Sequence, residues 1–111
     1  MIPDLESVES LFARMRADGV DVTQPLCWGF YFVAAAREPL ERVYAELVDH
    51  GYFVTALRPA EDGDDGWRLH VSKTEVLAAD KLHRRNIAFN ELAAHCDADE
   101  YEGWDVDVPS A

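Results

Sequence analysis

Basic side chains are scarce: ten Lys and Arg stand against 22 Asp and Glu in 111 residues, a formal net charge of −12. Affinity for nucleic acid rests on cations that neutralise phosphates, so direct RNA or DNA binding is disfavoured. Cysteine is sparse as well, and the separation of Cys27 and Cys96 matches no metal-ligand spacing. Long apolar runs are missing: no stretch approaches the roughly 18 residues of a membrane-spanning helix. The first nine residues are acidic where a secretory signal is basic and then apolar. A soluble, cytoplasmic protein is expected, with both cysteines as reduced, buried thiols.

Catalytic signatures are also lacking. There is neither a phosphate-binding glycine loop nor a nucleophile elbow. No two of His50, His70, His83 and His95 share the i, i+4 spacing of a helical zinc pair. His95, Cys96 and Asp97 are adjacent, but neighbours on a helix diverge by about 100°. No enzyme, metal or cofactor is expected.

What the chain does have is apolar surface. Hydrophobic residues make up 49% of it and three are Trp, enough for one core without disulfides. Asp4 is a suitable N-cap, and Leu5, Val8, Leu11, Phe12 and Met15 recur at helical spacing, predicting a helix over 4–18 that Gly19 stops. The apolar, aromatic run from Leu26 to Ala35 predicts a central strand buried on both faces. Pro39 fits the first position of a helix carrying Leu40, Val43, Tyr44, Leu47 and Val48, with Gly51 just past its end.

Tyr52 to Leu57 is strand-like, and Pro59 to Gly66 is an acidic, glycine-containing hairpin loop. Trp67, Leu69 and Val71 alternate with Arg68, His70 and Ser72, the pattern of a half-exposed strand, followed by a turn through Lys73 to Ala79. Asp80 caps a helix to about Cys96 that buries Leu82, Phe89, Leu92, Ala93 and Cys96, with Ile87 off the stripe. Tyr101-Glu102-Gly103-Trp104 is the closing strand, because buried aromatics hold a terminal segment down.

With right-handed crossovers, this order predicts an α+β, ferredoxin-like βαββαβ sandwich: a four-stranded antiparallel sheet with two helices on one face. The first and third strands would be central. The expected divisions are an N-terminal helix and linker over 1–24, the ferredoxin-like domain over 25–106 and a loose tail over 107–111.

Asp18-Gly19-x-Asp21, Gly51-Tyr52-x-Val54-Thr55 and Tyr101-Glu102-Gly103-Trp104 together resemble the regulator of ribonuclease activity B family, in the same order along most of the chain. The resemblance implies a small acidic ferredoxin-like protein, not an enzyme, that binds the bacterial endoribonuclease E and restrains RNA cleavage. It makes Gly51, Tyr52, Tyr101, Gly103 and Trp104 the motif positions. The 111 residues hold no counterpart of the long acidic C-terminal extension of characterised members.

A protein partner with a basic surface is expected on charge. Asp62, Asp64 and Asp65 in the loop, with Asp99, Glu100 and Glu102 around the last strand, are the candidate contacts. Tyr31 and Phe53 on the uncovered sheet face are the candidate apolar anchors. For the acidic residues the competing reading is a solvated face, and for Tyr101 and Trp104 it is core packing. Another target, such as a toxic nuclease blocked by an immunity protein, is the alternative function. Base stacking on the sheet aromatics would need flanking cations that are missing.

Overall fold

The computed structural model describes residues 2–59 and 66–107. Asp62, Asp64 and Asp65, and residues 108–111 of the tail expected over 107–111, lie outside the described residues. Seven elements follow in order: α1 (Leu5–Ala17), β1 (Leu26–Ala34), α2 (Arg37–Val48), β2 (Phe53–Pro59), β3 (Trp67–Glu75), α3 (Ala79–His95) and β4 (Glu100–Asp107). The class is α+β, and the strands form one sheet in the order β2-β3-β1-β4, every neighbour antiparallel. β1 and β3 are therefore the central strands.

One face of the sheet is the core. Trp28, Phe30 and Phe32 of β1 are fully buried there, with Leu69 and Val71 of β3 and Tyr101 of β4. Phe89 of α3 reaches into this layer and meets Phe30, Phe32, Tyr52 and Tyr101 at centroid distances of 5.0–5.8 Å. α1 adds Phe12, which stacks on Trp28 at 5.7 Å. α2 contributes Leu40, Val43 and Leu47. The opposite face of the sheet carries Cys27, Gly29, Tyr31 and Val33 of β1, and β1 is not buried against helices on both sides as its run of apolar residues suggests. Alternation decides this: every second residue of a strand points away from the helices. Cys27, on that second face, is only half-buried, whereas Cys96 is buried, and both are free thiols.

The apolar stripe of α1 is covered only in part. Val8 and Phe12 are buried, but Leu11 is 41% exposed and lines a groove with Trp104 and Val106 of β4. Ile87, which falls off the α3 stripe in sequence, is exposed. Asn86 takes a stripe position instead, fully buried, and its Oδ1 accepts a 2.6 Å hydrogen bond from the Tyr101 hydroxyl.

Several boundaries differ from those the sequence suggests. α2 starts at Arg37, so Pro39 is its third residue. That is still among the first four N–H positions that lack a helical partner, so proline costs no bond there. α3 starts at Ala79 with Ala78 as cap, and Asp80 lies inside the first turn, where its charge favours the helix dipole. β3 continues through Lys73 and Glu75 because the nine-residue β1 supplies ladder partners out to Leu26. β4 takes in Val106 and Asp107, which pair with Trp28 and Cys27.

The Tyr101-Glu102-Gly103-Trp104 stretch is a bulge. Phe30 pairs with Trp104, Tyr31 with Gly103 and Phe32 with Tyr101, so Glu102 is the extra residue. In a regular strand, residues three apart point to opposite faces. The bulge returns both aromatics to the core face, and Gly103 bends there at φ 134.

All three helices end in one way. Val20, Tyr52 and Ala98 donate backbone bonds to Met15, Leu47 and Ala93, five residues back, around a residue with positive φ: Gly19, Gly51 and Asp97. Asp97 is a non-glycine at φ 62, a conformation that costs an L-residue roughly 1–2 kcal/mol. Its ion pair with Arg42 spans 3.4 Å between exposed groups, worth under about 1 kcal/mol. Asp97→Gly is therefore expected to stabilise the protein by about 0.5–1 kcal/mol. A rise in the urea midpoint at unchanged m-value is the expected readout, and a fall would show that the Arg42 contact outweighs the backbone strain.

Candidate functional site

The face of the sheet turned away from the helices collects the polar side chains that alternation expels from the core. His70 pairs directly with Tyr31 across β1 and β3, and their rings stack at 4.3 Å, 12° from parallel. The Tyr31 hydroxyl donates a 2.6 Å hydrogen bond to Asp105 Oδ2 on β4. The Arg68 guanidinium sits 4.6 Å from the Tyr31 ring centre and pairs with Glu102 at 3.0 Å. Tyr31 is thus half-buried and tied to both strands that flank β1.

At the centre lies Gly29. A side chain there would collide with Asp105 Oδ1 and come within 2.6 Å of His70 Nε2, so these two groups lean over the bare backbone of the central strand. Beside them is a cleft of about 460 Å³ lined by Cys27, Thr55, Ser72, Asp107 and Val106 as well. Thr55 is the extra residue of a second bulge, between β2 and β3, and its hydroxyl donates to Ser72 Oγ at 3.1 Å.

Burial holds the His70 imidazole below its ordinary pKa, against the opposing pull of Asp105. Burial and then the bond to Asp105 push the Tyr31 phenol up to about 12. At neutral pH the imidazole and the phenol of the cluster are therefore both neutral. Among the described residues no group of three or more His, Cys, Asp or Glu could hold a metal.

Phe53, at 73% exposed, stands on the same face at the outer strand β2, opposite Ser72. Asp99 and Glu100 are exposed where the chain enters β4, and the Asp99 amide bonds the Val33 carbonyl at 2.9 Å. Glu102 faces Arg68. The fold thus brings Tyr31, Phe53, Glu100 and Glu102 to one side of the molecule.

The motif positions are elsewhere. Tyr101 is buried among Phe32 and Phe89, and Trp104 leans on Trp28 at 5.7 Å. Tyr52, behind Gly51, is buried against Phe30 and Phe89. These residues pack the core. A groove between α2 and α3 above Tyr52 holds Lys73 and Arg85, but Lys73 donates to the His50 carbonyl and Arg85 pairs with Glu75. Both cations are occupied in joining elements.

Alternation along β3 puts His70 on a wet face, but no local pattern joins it to Asp105, which is 35 residues on. The available signal is Gly29 within an otherwise bulky strand, since a strand-interior glycine marks a close approach.

Comparison with known proteins adds one finding. The model of the family described as Regulator of ribonuclease activity B matches residues 6–106. No curated protein matches the chain.

Proposed function

The chain belongs to the regulator of ribonuclease activity B family, and from that premise we propose that it is a small acidic protein that restrains an RNA-degrading endoribonuclease by contact, making and breaking no bonds itself. The observation that carries the reading is the helix-free face of the sheet, on which Glu100, Glu102, Asp105 and Asp107 line one edge on β4 and the exposed Phe53 stands at the opposite edge on β2. Carboxylates of this kind speed encounter with a basic surface and set its orientation. An exposed aromatic supplies the apolar anchor that affinity needs.

Asp62, Asp64 and Asp65 belong to the same reading by charge, as does Asp99. The strand order β2-β3-β1-β4, with α2 and α3 as crossovers, supports describing 25–106 as a ferredoxin-like unit. A cytoplasmic setting goes with an intracellular nuclease as partner. No helix among the described residues is long and apolar enough to cross a membrane.

The test is recovery and activity together. Tagged protein is expected to co-purify with an endoribonuclease from its host and to slow that enzyme's cleavage of a structured RNA, with association rates that fall as salt rises. Cleavage that is unaltered at saturating protein would overturn the proposal.

A further inference from the structure

The cleft over Gly29 has features that the general idea of an acidic surface does not require. Its floor is backbone, because glycine is the residue there and any Cβ would run into Asp105 and His70. Asp105 is held in one orientation: Oδ2 accepts from Tyr31, and Oδ1 is the oxygen over Gly29. Asp107 follows two residues later on the same face, opposite Cys27. The ion pairs of Arg37, Arg42, Arg68, Arg84 and Arg85 go to Glu38, Glu41, Glu75, Asp80, Asp97 and Glu102. None of them goes to the two carboxylates of the cleft. The Thr55 and Ser72 hydroxyls and the neutral His70 add acceptors around the same space.

We propose that this cleft receives the guanidinium or ammonium group of an arginine or lysine carried by the protein partner. The inference rests on the reading that the chain works through such a partner, and it names the contact. Its chemistry is matched in three respects. Two carboxylates face a cation, and a rigid acceptor set suits the fixed fork of a guanidinium. The cleft volume, about 460 Å³, falls in the range of about 300–1,000 Å³ typical of ligand clefts. The anions of nucleic acid are repelled by the same carboxylates. Arg68 and Arg58 face each other across β3 and β2 toward the far end of the strands, opposite Val33, and Arg68 pairs with Glu102. Each acts on His70 less than Asp105 does, so the carboxylates set the sign of the charge in the cleft.

The experiment uses the full chain and two probes. N-acetyl-arginine methylamide is titrated into isotope-labelled protein, with N-acetyl-norleucine methylamide as the uncharged control, and backbone amide shifts are followed. The expected result is saturable movement of the Gly29, His70 and Ser72 amides with the arginine probe alone. Asp105→Asn/Asp107→Asn is expected to weaken that binding about five- to tenfold, and Asp49→Asn, which removes an exposed charge at the C-terminal end of α2, less than about twofold. Each variant replaces an exposed side chain by its isostere, and thermal melts confirm folding.

The second probe is the endoribonuclease recovered with the wild-type protein. Weaker nuclease binding by the double variant, and not by Asp49→Asn, supports the contact. Equal nuclease binding by all three proteins overturns it and leaves the proposed function standing. An arginine probe that moves no cleft amide overturns it too, as does Mg²⁺ or Zn²⁺ moving those amides at lower concentration than arginine. If wild-type protein captures no nuclease while the arginine probe still binds, the nuclease reading fails and the cation site is supported.

Discussion

Trp28→Ala is expected to remove about 3–5 kcal/mol of stability, the largest single loss available in this chain. The indole is fully buried, stacked on Phe12 at 5.7 Å and tilted against Trp104 at 5.7 Å. Its Nε1 donates a 3.0 Å hydrogen bond to the Glu75 carbonyl. Truncation therefore leaves a cavity where α1, β1, β3 and β4 meet, and an unpaired carbonyl at the end of β3. Total stability of a domain this size is about 5–15 kcal/mol, so the variant should sit near its unfolding threshold. Urea denaturation is the measurement, with a midpoint expected to fall by roughly 2 M. Phe53→Ala, at an exposed site on β2, is the comparison and should stay within about 0.5 kcal/mol of wild type. A Trp28 variant that loses less than about 1 kcal/mol would show that α1 is not seated on this ring.

Gly103→Ala is expected to cost about 1–3 kcal/mol and to leave a spectroscopic trace that ordinary destabilisation does not. With φ at 134, position 103 uses a backbone region that side chains rarely enter. If the chain relieves this by removing the bulge, Tyr101 and Trp104 fall on opposite faces of β4, and one of them leaves the core. The fluorescence and near-ultraviolet dichroism of the folded variant should then change. Gly51→Ala is also at positive φ, but at a helix end whose surroundings are open apart from Lys73 Cε at 3.7 Å, and should cost about 1 kcal/mol with no such change. An unshifted spectrum in folded Gly103→Ala would show that the bulge survives without glycine.

Trp28 and Gly103 also show what the Tyr101-Glu102-Gly103-Trp104 stretch does for the fold. Its aromatics turn toward the core, Tyr101 fully buried and Trp104 partly so. Tyr101 donates to the Oδ1 of the buried Asn86 and packs on Phe89, while Trp104 packs on Trp28. The glycine between them makes that double burial geometrically possible. The acidic residue is the bulged one, and it emerges on the helix-free face beside Arg68. One short motif thus fastens the last strand and places a charge on the face proposed for contact.

Much of the fold is legible along the chain because it depends on near neighbours. The stripe Leu82, Phe89, Ala93 and the alternation Trp67, Leu69, Val71 record which side of an element is buried, and Gly19 and Gly51 mark where helices stop. Asp97 gave no such mark, since the same terminus is built there on a residue that pays strain to adopt it. Asn86 was equally silent: its place in the core depends on a hydroxyl 15 residues later. β3 runs past Ser72 only because β1 is long enough to pair with it.

What the sequence determined by itself is the order of elements, the acidic balance and the apolar faces, because helix and strand periodicity and net charge are sums over local residues. The meeting of Tyr31, His70 and Asp105 over Gly29 was decided only by the tertiary structure. Those residues come from three strands, and their approach depends on pairing register and on one bulge, which no local pattern encodes. A shift of a single residue in β4 would turn Asp105 to the other face of the sheet.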